Sequence, residues 1–200
     1  MPNNAKNKFT IVSLFAGCGG LDLGFVGGFE SNGKKYQKHP FVIDWANDID
    51  EPACKTFKNY FKHDIVCGSI VDILGDKHNS KSNTPLPKKI DIVLGGFPCQ
   101  EFSHAGKRRG FNSEKGLLYR SMAEVIRRTE PVLFVAENVR GLLTIDNGTA
   151  IDTIKDDFAE LGYHVNHKLL LAADYGVPQM RERVIIIGTR KGKLPRFEDS

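Results

Sequence analysis

Cysteine and long apolar runs are both scarce in this chain of 200 residues. Its four cysteines, Cys18, Cys54, Cys67 and Cys99, are widely spaced and form no C-x-x-C pair, which argues against a zinc site, and a cytoplasmic setting argues against structural disulfides. No run of about 18 apolar residues occurs, so we expect no membrane-spanning helix. Residues 1–8 are polar and lack the apolar core of a signal peptide, so we expect a cytoplasmic protein.

The rest of the composition is typical of a folded domain, with 40% hydrophobic residues and thirteen phenylalanines to fill a core. The length suits one domain, or one domain and the start of another. A net charge of +4 is compatible with nucleic-acid binding but does not indicate it by itself.

Short apolar runs alternate with segments of helical periodicity. The pattern predicts strands over residues 9–14, 39–46, 64–70, 89–94, 132–136, 163–171 and 184–188, and helices over 50–61, 116–128 and 151–161. Such alternation predicts an α/β fold with a doubly wound, mostly parallel sheet.

Cys99 follows the strand predicted over 89–94, after two glycines and Pro98. Residues beyond the carboxyl end of a strand line the ligand crevice of an open α/β sheet, so this thiol is placed to act as a nucleophile. A small structural cysteine buried beside a tight turn is the alternative.

A glycine-dense turn, Phe15–Phe25, follows the first strand and opens a helix. Its G-x-G-G spacing does not match the dinucleotide fingerprint. Asp48 ends the second strand, where a carboxylate typically accepts hydrogen bonds from ribose hydroxyls; a plain surface acid is the alternative. Together the two features predict a cofactor that carries a nucleoside but no pyrophosphate.

Further polar residues are expected at the same edge of the sheet. Residues 104–115 form a glycine-containing basic loop that suits closure over a phosphate backbone, although a solvated charged loop is the alternative. Glu137 follows the strand over 132–136. Gln179, Arg181 and Arg183 alternate along extended backbone and so share one face.

Four segments, in this order, resemble the DNA cytosine-5 methyltransferase family. Phe15–Gly24 resembles its S-adenosylmethionine loop, Gly96–Ser103 its nucleophile motif, Glu137–Val139 its proton-donor motif, and Gln179–Arg183 its arginine motif. The resemblance covers residues 9–189. It implies the Rossmann-like fold of S-adenosylmethionine-dependent methyltransferases and a methyl transfer of the restriction-modification type.

The resemblance also implies roles for these residues. Cys99 attacks C6 of a cytosine flipped out of double-stranded DNA, and Glu137 binds N3 and the exocyclic amine. Arg183, with Arg181 nearby, holds O2, and Asn138 orients the Pro-Cys turn. No metal is implied.

The predicted binding residues fall into two sets. The predicted cofactor contacts are Phe15, Gly17, Gly19, Gly20, Asp48, Ile49, Ser69, Ile70, Pro98 and Leu118. The predicted DNA contacts are Gln100, Ser103, Lys107, Arg108, Arg109 and Gln179. Ser69 stands where the family often has an aspartate that meets the adenine amine, with Asp64 as the alternative contact.

Family members continue into a target-recognition domain and a final helix, which these 200 residues do not contain. We therefore expect a fold incomplete at the C-terminus: a flexible N-terminus over 1–8, a catalytic domain over 9–190, and the start of a linker over 191–200. A complementary C-terminal subunit or segment is the expected partner, and the chain alone is expected to methylate poorly.

Three other functions share some of these features. A tRNA cytosine-5 methyltransferase would carry the same motifs, and a catalytically silent DNA-binding or regulatory subunit would share the fold. A dehydrogenase or another thiol enzyme on a similar fold explains neither Glu137–Val139 nor Gln179–Arg183.

Overall fold

The computed structural model describes residues 8–75, 85–98 and 117–190. The strands are β1 (Phe9–Leu14), β2 (Glu30–Ser31), β3 (Lys34–Lys35), β4 (Phe41–Asp48), β5 (Val66–Cys67), β6 (Ile92–Gly95), β7 (Leu133–Val139), β8 (His164–Leu171) and β9 (Glu182–Thr189). The α-helices are α1 (Gly20–Val26), α2 (Glu51–Phe61), α3 (Ile70–Gly75), α4 (Leu117–Thr129) and α5 (Thr149–Glu160). The predicted alternation of strands and helices is confirmed.

The chain forms two compact units, Met1–Leu94 and Gly95–Ser200. In the first unit the strand order is β5-β4-β1-β6, and β4 pairs in parallel with both β1 and β5. Ile11, Val12 and Trp45 are at most 2% exposed. The central strand β6 is apolar and fully buried, and the last four residues of β1 are buried, as is typical of strands in a parallel sheet that is covered on both faces.

Two local features of the first unit were not predicted from the sequence. The strand predicted over 64–70 is reduced to β5, and Ile70 already begins α3. The buried Asn47 side chain donates to the carbonyls of Val66 and Gly68 and so fixes a turn there. The polar insert after α1 folds into the β2–β3 hairpin around Asn32 and Gly33, both with positive φ, which is the Asn-Gly type of tight turn.

Helix α2 begins as the sequence predicts. The Asp50 side chain accepts a hydrogen bond from the Ala53 N–H at 3.0 Å, and Pro52 stands in the first turn. The helix ends at Phe61, before Lys62 in the left-handed conformation.

The second unit contains β7, β9 and β8 in that spatial order, all antiparallel. Phe134, Phe158 and Tyr163 form an aromatic core between these strands and α5. Strand β7 extends to Val139, so Glu137 lies within the strand and not after it, because its ladder with β9 continues to the pair Val139–Arg183. In the described ranges, no helix is both long and apolar enough to cross a bilayer.

Candidate active site

The glycine turn between β1 and α1 has a backbone that favours small residues. Gly17 and Gly19 have φ of 55° and 86°, and Phe15 also has a positive φ of 54°, which is rare for a bulky side chain. A Cβ at Gly19 would collide with the Phe57 and Phe61 rings, whereas Gly17 and Gly20 face open space. Gly19 is therefore required by packing, and Gly17 and Gly20 leave main chain accessible to a ligand.

Asp48 is tied to the glycine turn and is not a plain surface acid. Its Oδ2 accepts a hydrogen bond from the Gly17 N–H at 2.6 Å, and its Oδ1 accepts one from the Asp50 N–H at 2.8 Å. A carboxylate has about four lone-pair positions, so two remain for hydroxyl donors. The sequence predicted that Asp48 and the glycine turn belong to one cofactor site, and this hydrogen bond brings the two together.

The other predicted cofactor residues of the first unit differ in their surroundings. Ile49 follows Asp48 and is 73% exposed, which is unusual for so apolar a side chain. Ser69 is half-buried, at the start of α3, whereas Ile70 is 2% exposed and packs in the core. Asp64 binds Lys58 at 2.6 Å, and this ion pair lowers the pKa of Asp64, so its carboxylate already has a partner.

Three charged side chains meet in the second unit, and we call them the carboxylate–arginine cluster. Arg183 Nε lies 2.6 Å from Glu137 Oε1, and Arg181 Nη2 lies 3.7 Å from the same oxygen. The Arg183 N–H is poorly aligned with the carboxylate, so the contact is an ion pair more than a directed hydrogen bond. Arg181 and Arg183 both contact the Glu137 carboxylate, as expected for side chains that share one face.

The main chain before Pro98 is fixed from the same strand as Glu137. Asn138 Nδ2 donates to the Phe97 carbonyl at 3.0 Å, and both residues are 2% exposed. Glu137 and Asn138 are neighbours on a strand and so point to opposite faces. Asn138 therefore anchors the turn from inside while Glu137 faces outward, in agreement with the orienting role expected for Asn138.

Gly96 is a site residue that the sequence reasoning missed. A Cβ at this position would lie 3.2 Å from Glu137 Oε2 and 3.7 Å from the Glu137 carbonyl oxygen. A glycine has no side chain and so permits this close approach of the Glu137 carboxylate.

A second ion pair lies beside the carboxylate–arginine cluster. Arg140 Nη1 lies 2.8 Å from Glu182 Oε2, and Glu182 stands between Arg181 and Arg183 in sequence. Successive strand residues alternate in direction, so this pair links the end of β7 to β9 on the other side of β9. Sequence reasoning missed it because Arg140 has no motif of its own.

The remaining predicted site residues have no described contact with the glycine turn or with the carboxylate–arginine cluster. Gln179 is exposed in the turn before β9, Pro98 is exposed, and Leu118 is half-buried on α4. The predicted nucleophile and five predicted DNA contacts lie outside the described residues: Cys99, Gln100, Ser103, Lys107, Arg108 and Arg109. Within the described ranges, no three His, Cys, Asp or Glu side chains come together as a metal site.

The described geometry supports recognition of a planar polar ring. A carboxyl group binds a ring nitrogen together with an exocyclic amine, and a guanidinium binds a carbonyl oxygen. The cluster holds both kinds of group side by side on adjacent strands, with the turn that precedes Cys99 anchored next to them.

Curated relatives match almost the whole chain. It is 43% identical over 188 residues to the type II methyltransferase M.NgoFVII of Neisseria gonorrhoeae, covering 94% of this chain and 46% of that protein. It is 38% identical over 202 residues to the type II methyltransferase M.BsuRI of Bacillus subtilis, covering 92% and 44%. The chain thus spans about half the length of the curated relatives it matches.

Solved structures confirm the fold. The S. pombe Dnmt2 methyltransferase matches with a TM-score of 0.67 at 17% identity, covering 94% of this chain and 53% of that one. The Entamoeba histolytica methyltransferase EhMeth matches with a TM-score of 0.66 at 15% identity, covering 96% and 56%. The predicted doubly wound, Rossmann-like methyltransferase fold is therefore confirmed.

A family model described as C-5 cytosine-specific DNA methylase matches residues 9–199. This match includes the glycine turn, the carboxylate–arginine cluster and the Pro-Cys turn within one continuous alignment. The chain belongs to the C-5 cytosine-specific DNA methylase family.

Proposed function

We propose that this chain carries the cofactor-binding and catalytic part of a DNA cytosine-5 methyltransferase of the restriction-modification type. Its substrate is a cytosine flipped out of double-stranded DNA, and its methyl donor is S-adenosylmethionine. The single observation that carries the proposal is the carboxylate–arginine cluster, in which Glu137, Arg181 and Arg183 meet beside the turn that leads to Cys99.

The residues of the first unit fit the proposed cofactor. Gly17 and Gly20 leave open space above the main chain, Asp48 retains acceptor positions for ribose hydroxyls, and Ile49 exposes an apolar surface to an adenine ring. Ser69 is the better candidate for the adenine amine because Asp64 is paired with Lys58. When bound, S-adenosylmethionine supplies the electrophilic methyl group that the activated C5 accepts.

The chain's own residues activate the base. The Cys99 thiolate forms a bond to C6, and the electron pair of the C5–C6 double bond moves to C5. Glu137 stabilises the resulting enamine by binding N3 and the exocyclic amine, and Arg183 holds O2. After methylation the C5 proton leaves to a base, the S–C6 bond breaks, and the thiolate is regenerated.

The cluster suits this task because Glu137 is held in place before the base arrives. Its ion pair with Arg183 fixes the carboxyl group, and Gly96 allows the turn to approach its other oxygen. Preorganised polar groups do not have to reorient during the reaction, which is how such sites lower a barrier.

Since the proposed substrate is DNA, we propose that the enzyme acts in the prokaryotic cytoplasm or nucleoid. A DNA substrate also requires a protein surface that reads base edges, because base contacts and not phosphate contacts specify a sequence. We propose that a C-terminal segment or subunit supplies that surface.

A covalent trap tests the proposal. The chain is incubated with S-adenosylmethionine and a duplex that contains 5-fluorocytosine, with and without any protein encoded immediately downstream. Fluorine at C5 cannot leave as a proton does, so the adduct accumulates and is seen as a gel shift under denaturing conditions. We expect an adduct through Cys99 that is lost in Cys99→Ala and kept in Cys67→Ser.

Two further arms separate the alternatives. A tritium-transfer assay compares duplex DNA with tRNA, and transfer to tRNA alone would replace the DNA proposal by the tRNA one. Absence of adduct and of transfer in every arm, with folding confirmed by circular dichroism, would favour a silent DNA-binding subunit.

A further inference from the structure

Two cysteines outside the proposed catalytic machinery lie side by side. Cys54 is on α2 and is 5% exposed, and Cys67 is on β5 and is exposed. Neither cysteine lies in one of the four segments that resemble the methyltransferase motifs. Both are free thiols in this structure.

The main chain of Asp48 brings the two thiols together. Asp48 is the register partner of Cys67 where β4 and β5 pair in parallel. The Cys54 S–H donates to the Asp48 carbonyl oxygen at 3.6 Å, so the helix side chain reaches this same pair of residues. The same carbonyl oxygen accepts the Gly68 N–H at 2.8 Å, so the Cys54 thiol lies beside the main chain that carries Cys67.

We infer that Cys54 and Cys67 form an oxidisable dithiol, a modification site that reacts with peroxides to give a reversible disulfide. Cys67 is the attacking thiol because it is exposed, and Cys54 is the resolving thiol because it is buried behind it. The inference concerns oxidation chemistry alone and does not depend on methyl transfer.

The surrounding charges support this order of attack. Burial, then the Cys67 thiol, then Asp48 and Asp50 raise the pKa of Cys54 to about 12, so it stays protonated at neutral pH. The thiolate is the nucleophile, so the first attack falls to Cys67.

The reaction balances with hydrogen peroxide as the named oxidant. The Cys67 thiolate attacks one peroxide oxygen, the O–O bond breaks, and a sulfenic acid and hydroxide form, the hydroxide taking up the thiol's proton as water. The Cys54 sulfur then attacks the Cys67 sulfur, the S–O bond breaks, and the hydroxyl leaves with the Cys54 proton as a second water. Two thiols are oxidised to one disulfide, and one peroxide is reduced.

The wild-type chain provides the primary test, so no variant has to fold for the result to count. The folded chain is treated with hydrogen peroxide at neutral pH, quenched with an alkylating reagent, digested without reductant, and mapped by mass spectrometry. We expect the Cys54–Cys67 peptide pair to dominate over pairs that involve Cys18 or Cys99, and to disappear after dithiothreitol. Random pairing, or no internal disulfide, would overturn the inference.

Two single variants test the order of attack. In Cys54→Ala the resolving thiol is missing, so we expect dimedone, a reagent for sulfenic acids, to label Cys67 at least about five-fold more than in the wild type. In Cys67→Ala we expect no label at Cys54. Equal labelling of Cys54 in Cys67→Ala would show that the two thiols react independently, against the proposed relay.

Discussion

Arg183 Nε lies 2.6 Å from Glu137 Oε1, whereas Arg181 Nη2 lies 3.7 Å from the same oxygen. The two arginines therefore hold one carboxylate unequally. Arg183 is also the less exposed of the two, with 25% of its side chain accessible against 47% for Arg181. The shorter and more enclosed contact is the more constraining one, since ion pairs open to solvent contribute little.

The unequal contacts predict unequal effects of arginine replacement. Arg183→Lys loses the guanidinium that holds Glu137 in place. We expect the rate of formation of the 5-fluorocytosine adduct to fall by about 100-fold. Arg181→Lys keeps the closer ion pair, and we expect a fall of about ten-fold or less. The measurement is single-turnover adduct formation, under the conditions in which the wild type forms it. A larger loss for Arg181→Lys would contradict the ranking.

Replacement of Gly96 tests how closely the turn and Glu137 must approach each other. In Gly96→Ala the new methyl group lies 3.2 Å from Glu137 Oε2, so the carboxylate has to shift by a few tenths of an ångström. Small misplacements of catalytic groups are costly, and we expect about ten-fold slower adduct formation with unchanged affinity for S-adenosylhomocysteine.

Gly75→Ala is the matched control for that variant. Gly75 is the exposed last residue of α3 with open space at its Cβ position, so adduct formation is expected to stay at the wild-type rate. Equal rates for Gly96→Ala and the wild type would show that Glu137 tolerates the methyl group.

Replacement of Asp48 by asparagine is expected to weaken cofactor binding by more than the loss of its charge would. Both of its oxygens accept main-chain N–H donors, so the amide nitrogen of Asp48→Asn would face a donor and leave it unmatched. We expect at least about ten-fold weaker binding of S-adenosylhomocysteine by calorimetry, which corresponds to about 1.4 kcal/mol. Asp44→Asn, an exposed acid of the same strand, should bind as the wild type does. Equal losses in both variants would point to general charge effects.

Asp22 predicts a pH dependence of stability. It is fully buried on α1, and burial raises its pKa to about 6. In the unfolded chain the carboxyl ionises near its ordinary pKa of 3.8, while the folded protein keeps the proton until about pH 6. The unfolded state therefore binds fewer protons in this window, and the free energy of unfolding falls as the pH rises from about 4 to 6, by on the order of 3 kcal/mol.

Asp22→Asn removes the ionisable group and keeps a similar shape. We expect the variant to unfold at a higher urea concentration than the wild type at pH 7.5, with the difference shrinking toward pH 4. The comparison at pH 4 is the internal control, because the wild-type carboxyl is then protonated in the folded state. An equal difference at both pH values would assign the effect to packing and not to ionisation.

Much of the candidate site was accessible from the sequence because its parts are local. Gly17 and Pro98 act through backbone conformation, and the alternation of Arg181 and Arg183 follows from extended backbone, so each is decided by residues within a few positions. The N-cap at Asp50 is of the same kind, because its side chain accepts a hydrogen bond from the Ala53 N–H only three residues further along. The strand predicted over 64–70 is shorter than expected because Asn47, on the neighbouring strand, binds the carbonyls of Val66 and Gly68 and fixes a turn there.

The contacts that join distant segments were decided only by the tertiary structure. Glu137 meets Arg183 because β7 and β9 are antiparallel, with Val139 opposite Arg183, and no local pattern specifies that register. Gly96 approaches Glu137, and Cys54 approaches Cys67, for the same reason: each depends on which strands pair and where a helix packs. The chemistry of the side chains was determined by the sequence alone, and their partners by the pairing of strands, because pairing energies depend on contacts between residues far apart along the chain.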